Sequence, residues 1–407
     1  MITASSLADV LAVGGLGAWA SALSLTLVGT AVALRKLARG PARLDAPFAL
    51  FPVSILKPLK GVDPGLEQNL ESFFRLDYPN FELLFSVADR RDPALAVVER
   101  VLARHPAVPA RVLIGSGRSV PVGPNPKISN LMEAYALARN DLLLISDSNI
   151  RVEPDYLRRQ VAELDPGVGV VTAVVVGREA RGIGGALEAT FLNTFYARWI
   201  YLTETLGRPC VLGKSMLFRR SDAERFGGFR TLSRYLAEDF MAGEAMRRLG
   251  RRVVVSASPI TQIVGARTSR EFWSRHLRWG RIRKSQAVLA FAAEPLGGAL
   301  LSGVLGTIGF HRLLGTPSAG FMACHLLVWA TCDFLLMRRL GGEAALRSPL
   351  GWILREISAL PLWFHISLGS EIEWRGQRMK LLPGGLLEAR DTPVGPAPFA
   401  APARRES

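Results

Sequence analysis

Residues 142–152 read LLLISDSNIRV. Four apolar residues and a serine run directly into Asp147, and Ser148, Asn149 and the short run 150–152 come after it. So dense an apolar run, bounded by polar residues, suits a strand buried on both faces of a parallel sheet. In open α/β sheets, ligands collect in the crevice beyond the carboxyl ends of the strands. Asp147 is therefore either a turn residue or the floor of a site.

Outward from this strand, residues 50–265 alternate strand-like and helix-like runs. Residues 53–56 (VSIL) form a short strand, and 65–76 repeat apolar residues at helical spacing. Residues 81–87 (FELLFSV) form a strand that stops at Asp89. Residues 93–104 are helical, 110–114 are again a strand, and 127–139 are amphipathic. This order predicts an α/β fold with a Rossmann-like, mostly parallel sheet and right-handed crossovers.

Asp89 and Asp147 then end two strands at one sheet edge. Between them, Asn125-Pro126-Lys127 opens a helix, and helix N-termini favour anions. Two carboxylates and a lysine near a helix start suit a nucleotide diphosphate bridged by a divalent cation. Hard cations take oxygen ligands and often complete their shell with substrate phosphates. Either aspartate alone could equally be a turn-former, so the ordered pair is the stronger signal. Residues 235–240 (YLAEDF) place Glu238 and Asp239 ahead of a helix, where capping alone would explain an acid. Arg275, Arg278 and Trp279, in RHLRW, set two arginines on one helical face beside an indole, a pattern also at home in an interfacial helix. The turn at 115–117 lacks the full dinucleotide fingerprint, and His276 stands apart from any metal-ligand spacing.

The chain has 407 residues and is 49% hydrophobic, enough for one large domain plus further apolar elements. Residues 10–34 carry no charge, and such a helix is long enough to span ~30 Å of hydrocarbon. It has no basic region ahead of it and no clear cleavage site behind it, so it reads as an anchor and not a signal peptide. Arg35, Lys36, Arg39 and Arg43 come next, which puts the chain beyond the anchor in the cytoplasm by the positive-inside rule. Residues 295–314 and 317–337 read as two more membrane helices, the second stopped by Arg338-Arg339. Residues 349–368 are interrupted by Arg355-Glu356, and charges in mid-membrane cost ~2.5–3.5 kcal/mol each. With Arg338-Arg339 before it and Arg375, Arg378 and Lys380 after it, this segment is expected to be re-entrant or interfacial. The net charge of +15 is concentrated beside the membrane segments and along 267–284, without a nucleic-acid motif. Anionic headgroups and a phosphorylated substrate are the expected partners, not nucleic acid, and no protein partner is inferred. Cys210, Cys324 and Cys332 show neither metal-ligand spacing nor an even disulfide framework.

Asp89 in SVADRRDP, Asp147 in SDSNIRV, Asp239 in YLAEDF and Arg275-x-x-Arg278-Trp279 together resemble the ceramide glucosyltransferase family. That family's pattern is three spaced aspartates followed by Q/R-x-x-R-W, within the GT-A glycosyltransferases (family 21, family 2-like). The likeness extends to LKPLKGVDPGLEQNLESFFRLDYP at 56–79, NPKISNLM at 125–132 and EIEWRGQRMKL at 371–381. It implies a GT-A domain flanked by an N-terminal transmembrane helix and C-terminal membrane helices. It also implies inverting transfer of a hexose, glucose, from a UDP-sugar to the hydroxyl of a ceramide-like lipid. By the same resemblance, Asp89 would contact the uridine side, Lys127 would support the nucleotide, and Asp147 would hold Mg²⁺ or Mn²⁺ against the diphosphate. Asp239 would be the general base. Arg278 and Trp279, with Arg275 of the same motif, would close on the diphosphate and shape the acceptor entrance.

Two positions depart from the family pattern. Asn149 occupies the third place of the usual Asp-x-Asp, and Tyr196, in FYARW, stands where the animal enzymes have histidine. Transfer of N-acetylglucosamine to a hopanoid is the nearest rival, although those relatives more often read Asp-Ser-Asp at the second site. A polysaccharide synthase would need more membrane helices, and the intact acidic set argues against an inactive binding module. The expected organisation is a membrane anchor with basic flank at 1–45 and a cytosolic GT-A domain at 46–284. C-terminal membrane helices and a re-entrant segment would occupy 285–370, followed by a cytosolic tail at 371–407, disordered from about 391. The whole would sit in the bacterial inner membrane.

Overall fold

The computed structural model describes residues 4–40, 50–115, 122–341, 349–374 and 377–388; Arg43, Arg375 and the tail expected to be disordered lie outside these described residues. The chain folds into two compact units interleaved in sequence. One comprises Pro41–Val174, Pro209–Thr261 and Ser370–Ser407; the other comprises Met1–Gly40, Val175–Arg208 and Gln262–Gly369.

The first unit carries the sheet. Its strands β1 (Val53–Leu59), β2 (Phe81–Val87), β3 (Ala110–Ile114) and β4 (Leu142–Ile145) are joined by the helices Leu66–Phe74, Ala94–Arg104 and Pro126–Leu137. β1 pairs in parallel with both β2 and β4, and β2 pairs in parallel with β3. β4 is buried throughout and β2 nearly so, as strands covered on both faces must be. Four further strands come later in the chain: β5 (Ile150–Arg151), β6 (Val168–Arg181), β7 (Met216–Arg219) and β8 (Arg252–Ala266). The sheet order is β3-β2-β1-β4-β7-β6-β8-β5. β7 runs antiparallel to both β4 and β6, so an antiparallel strand follows the parallel strands predicted from the sequence.

Two consequences position the site. The parallel strands β1, β2 and β4 bring their carboxyl ends, and hence the loops bearing Asp89 and Asp147, to one edge. The helix Pro126–Leu137 is pinned to the sheet through Ile128 and Leu131, which join Leu56, Leu84, Leu143 and Met216 in one buried cluster. A hairpin of β9 (Glu371–Trp374) and β10 (Gln377–Lys380) precedes a segment in which Leu386 bridges Tyr235 and Gly385 O accepts Leu236 N–H at 3.3 Å. The chain ahead of Glu238 is thus clamped from the C-terminal side.

The second unit is helical. Among the described residues, two helices are long and apolar enough to cross a membrane, Leu7–Arg39 and Ser318–Arg339. Val288–Gly297 and Ala299–Leu314 form a further apolar pair bent by 71°, so the helix expected from residue 295 starts in earnest at Ala299. Lipid supplies no hydrophobic drive between helices, and close approach rests on small residues. A Cβ added at Gly306 would lie 2.6 Å from Trp19, and one at Gly309 would lie 2.4 Å from Leu16.

Arg355 and Glu356 do not interrupt their helix, which runs unbroken over Pro349–Ser367. Both are buried and paired. Arg355 donates to Thr194 Oγ1 at 2.6 Å and to Asp333 Oδ2 at 2.8 Å, and it contacts Glu356. Asp333 also takes Arg198 and accepts from Trp352 Nε1 at 2.8 Å, while Arg198 Nε donates to Thr30 Oγ1 at 3.0 Å. Glu356 Oε2 accepts the Ala299 N–H at 2.7 Å, capping the start of Ala299–Leu314. The insertion cost that argued against a membrane span here is the cost of a solitary charge. The charges here are mutually neutralised and hydrogen-bonded.

Candidate active site

Asn125 is the first piece of the site. Fully buried, it caps the helix Pro126–Leu137 by accepting from Lys127 N at 2.9 Å and Ile128 N at 3.2 Å. Pro126 at the first helical position has no N–H to satisfy, which suits it there. The Asn125 amide group donates to Tyr235 O at 2.7 Å and Glu238 Oε2 at 3.1 Å. One side chain thereby joins the start of this helix to the start of Glu238–Arg248.

Lys127 is the hub. Its ammonium lies 3.0 Å from Asp147 Oδ1 and 2.9 Å from Glu238 Oε1, and it donates to Gly213 O at 3.2 Å. An ammonium has three donors, and three internal oxygens take them. Burial would lower its pKa, but Asp147, Glu238 and Asp239 outweigh burial and raise it, so it stays charged. In this state Lys127 fixes the acids and presents no spare donor to a nucleotide.

Asp147 meets a second cation. Lys214 Nζ lies 3.2 Å from Asp147 Oδ2 and 3.0 Å from Asn149 Oδ1. Burial would raise the Asp147 carboxyl, yet Lys127 and Lys214 override it and hold it well below the usual carboxylate range. The loop behind it is tied down as well. Lys57, fully buried on β1, donates to the Asp147 carbonyl at 3.1 Å and to Ser146 Oγ at 3.3 Å, with its ammonium 3.5 Å from the Phe73 ring centroid. Ser148 Oγ bonds to Asp63. Burial, reinforced by Lys214, pulls the Lys57 ammonium well below its ordinary pKa against the opposing pull of Asp147.

Asp239 has a different environment. Its oxygens accept two backbone N–H groups, from Gly213 at 2.7 Å and from Phe240 at 2.8 Å. Burial and then the neighbouring Glu238 push its pKa up to about 6, against the pull of Lys127. Glu238 makes no side-chain cap to the helix; Lys127 and Asn125 hold it. Asp89 lies apart from this cluster. It is exposed beyond β2, where Arg91 Nη2 pairs with it at 3.0 Å and that hydrogen bond lowers its pKa.

The residues present suit a divalent cation. Asp147 Oδ2 and Asn149 Oδ1 converge on one point at which the Lys214 ammonium stands in as the cation. One carboxylate and one amide oxygen make an open, oxygen-only pair, which an ion such as Mg²⁺ completes with water and substrate phosphates. Among the described residues no group of three His, Cys, Asp or Glu side chains forms a closed metal cage.

Arg275, Arg278 and Trp279 belong to the helical unit, on Ser269–Gln286, a helix opened by a capping box between Thr268 and Glu271. Arg275 Nε lies 3.2 Å from the fully buried Glu188, which also faces Arg267 Nε at 3.0 Å and accepts from Gln262 at 2.8 Å. The two arginine contacts are close ion pairs and not aligned hydrogen bonds. The Arg275 guanidinium also stacks 4.6 Å from the Trp279 ring, so this arginine braces the indole. His276 is buried against Phe272 and 3.3 Å from the Tyr196 hydroxyl; burial and the surrounding arginines keep it neutral.

Three participants escaped the sequence reading: Lys57, Gly213 and Lys214. Lys57 is a lysine inside an apolar strand, and Gly213-Lys214-Ser215 directly precede the apolar run of β7. Both are visible signals once the strands are known.

Comparison with known proteins points the same way. The model of the family described as Glycosyl transferase family 21 matches residues 19–387. Ceramide glucosyltransferase 1 of Caenorhabditis elegans is 32% identical over 339 residues, covering 82% of this chain and 72% of that one. A ceramide glucosyltransferase of Komagataella phaffii is 28% identical over 426 aligned positions, covering 83% and 84%. Among solved structures, the mannosyltransferase PcManGT from Pyrobaculum calidifontis, in complex with GDP-Man and Mn2+, superposes with a TM-score of 0.51. It is 17% identical and covers 89% of this chain and 98% of that chain, a likeness of fold alone.

Proposed function

The chain belongs to glycosyl transferase family 21 and is a glycosyltransferase acting on a lipid, and we propose that it transfers glucose from UDP-glucose to the primary hydroxyl of a ceramide-like lipid, with inversion. The observation that carries this reading is the division of labour between two half-buried acids. Asp147 is held ionised by two ammonium groups, whereas Asp239 accepts backbone N–H groups and is poised to take up a proton by burial and the neighbouring Glu238. Transfer needs a leaving-group stabiliser and a base, and the two environments match those roles.

In this mechanism the donor diphosphate lies at the sheet edge beside Asp147. Asp147 and Asn149 would hold Mg²⁺ or Mn²⁺, which supplies Lewis-acid neutralisation of the departing diphosphate when bound. The Mn2+ in the mannosyltransferase of like fold supports that assignment. Asp89, at the end of β2, would meet the uridine side. Lys127 keeps Asp147 and Glu238 in place and lends the site positive potential. Asp239 takes the proton of the lipid hydroxyl as it attacks the anomeric carbon. For Arg278 and Trp279 the reading rests on the family motif: the arginine offsets charge on the leaving UDP and the indole contacts the acceptor, with Arg275 bracing it.

The test is incubation of membranes carrying the protein with ceramide and radiolabelled UDP-glucose or UDP-N-acetylglucosamine, then resolution of the labelled lipids. Glucosylated ceramide of inverted anomeric configuration is expected, with most activity lost in excess chelator or in Asp147→Ala. Exclusive N-acetylglucosamine transfer would favour the hopanoid reading, and full activity in chelator would remove the metal from the mechanism.

The sheet unit would face the cytoplasm of a bacterial inner membrane, on the side marked by the basic end of the first helix at Lys36 and Arg39. Residues 349–368 would then not cross, leaving both flanking basic clusters on one side. Labelling of a C-terminal cysteine tag from the periplasmic side of intact cells would overturn this topology.

A further inference from the structure

Three lysines surround Asp147, and they are not equivalent. Lys57 is sealed beneath the loop on a backbone carbonyl and Ser146, and Lys127 is committed to three internal oxygens. Lys214 sits where its ammonium spans the two oxygens that a divalent cation would take. Its backbone neighbours are fixed: Leu212 N–H donates to Thr172 Oγ1 at 3.0 Å, Gly213 N–H to Asp239 at 2.7 Å, and Ser215 Oγ lies 2.6 Å from the Tyr156 hydroxyl. Residues 212–215 are therefore anchored, and the Lys214 ammonium is carried on a four-carbon stem above them.

The charges explain the pairing. An Asp-x-Asp pair offers two negative charges and matches a divalent ion. With Asn149 in the third place the pair offers one, and the Lys214 ammonium spans its two oxygens while Lys127 is shared with Glu238. From this we infer that Lys214 is the chain's own cation for the donor diphosphate: it holds the Asp147–Asn149 pair when no divalent ion is bound and engages the diphosphate directly. Asp147 and Asn149 would hold a divalent ion in place of the ammonium, and Lys214 would then be left to pair with the diphosphate. Donor binding is accordingly assisted by metal without depending on it wholly. The inference rests on the reading of this edge as a nucleoside diphosphate-sugar site.

The test uses the full chain in detergent and two readouts that do not require turnover. UDP binding is measured calorimetrically in chelator and in Mg²⁺, and Mn²⁺ binding without nucleotide is measured by electron paramagnetic resonance. Wild type is expected to bind UDP in chelator. Lys214→Met should weaken that binding by about 10–100-fold, the worth of one charge-assisted hydrogen bond, and should weaken binding in Mg²⁺ much less. The same variant should bind Mn²⁺ alone more tightly, because the competing ammonium is gone, and Asn149→Asp should do so as well. Lys214→Arg, which keeps the charge, should retain the larger part of UDP binding in chelator. Equal UDP binding by wild type and Lys214→Met in chelator, or an unchanged Mn²⁺ affinity, would overturn the assignment of Lys214 alone. Failure of wild type to bind UDP in either buffer would overturn the donor-site reading and this inference with it.

Discussion

Replacing Asp239 by asparagine is the most informative single change. Both carboxylate oxygens accept backbone N–H groups, from Gly213 at 2.7 Å and Phe240 at 2.8 Å. Asparagine has one oxygen, so whichever way its amide turns, an NH₂ group faces a backbone donor. That half-buried mismatch costs about 1 kcal/mol of stability, which should appear as a lower unfolding temperature in detergent. The catalytic loss is separate and larger. An amide cannot accept the hydroxyl proton, so turnover should fall by roughly 10²–10⁴-fold while UDP affinity stays within about threefold. The pH profile distinguishes the two effects. A base works deprotonated, so with a pKa of about 6 the wild-type rate should decline as pH drops through 6. Glu238→Gln removes an anion that raises the Asp239 pKa, so that acidic limb should move to lower pH, with a smaller loss of maximal rate. Radiolabelled lipid product over about pH 4.5–8.5, with calorimetric UDP binding alongside, measures all of this. Normal turnover in Asp239→Asn, or loss of UDP binding along with it, would refute the reasoning.

Other perturbations act through the same contacts. A Cβ at Gly213 would lie 3.0 Å from both Asp239 Oδ2 and Lys127 Nζ, so Gly213→Ala should displace both and lower kcat about tenfold at nearly unchanged stability. Asn125→Ala removes a helix cap and leaves the Tyr235 carbonyl and Glu238 short of a donor; a loss of about 2–4 kcal/mol is expected in denaturant titration. Asp333→Asn strips the shared anion from Arg198 and Arg355, and thermal unfolding in detergent should report about 3–5 kcal/mol of destabilisation.

The sequence made the parallel half of the sheet legible, because β1 to β4 are short apolar runs separated by helices of clear period. The antiparallel insertion of β7 was not legible. Its pairing with β4 joins residues more than 70 positions apart, with no tight turn to announce it. The order of the acids could be read along the chain, but their environments could not. Whether Glu238 capped a helix or faced Lys127 depends on how Asn125 joins two helix starts. Arg355 and Glu356 looked like an interruption because hydropathy counts charges singly. Their partners, Asp333, Thr194 and the N–H of Ala299, come from three separate helical segments.

The roles of the acids can be argued from this geometry without the family motif. Asp147 and Glu238 contact one ammonium and Asp239 lies within its field, and the three differ in what touches them. Asp147 contacts two ammonium groups, Glu238 shares Lys127 with an amide donor, and Asp239 has backbone N–H groups and a carboxylate neighbour. The first arrangement fixes a permanent negative charge, which a bound cation needs. The last leaves a carboxylate whose proton affinity is raised into the range where it exchanges near neutrality, which a base needs. When neighbouring carboxyls are driven apart in pKa, the acid–base assignment comes from the direction of each shift. Lys127 joins the two functions, since anything that moves it loosens the anchor of Asp147 and changes the field at Asp239 together. Lys127→Met should therefore impair donor binding and shift the pH profile at once, a double signature that neither Asp147→Ala nor Asp239→Asn can produce alone.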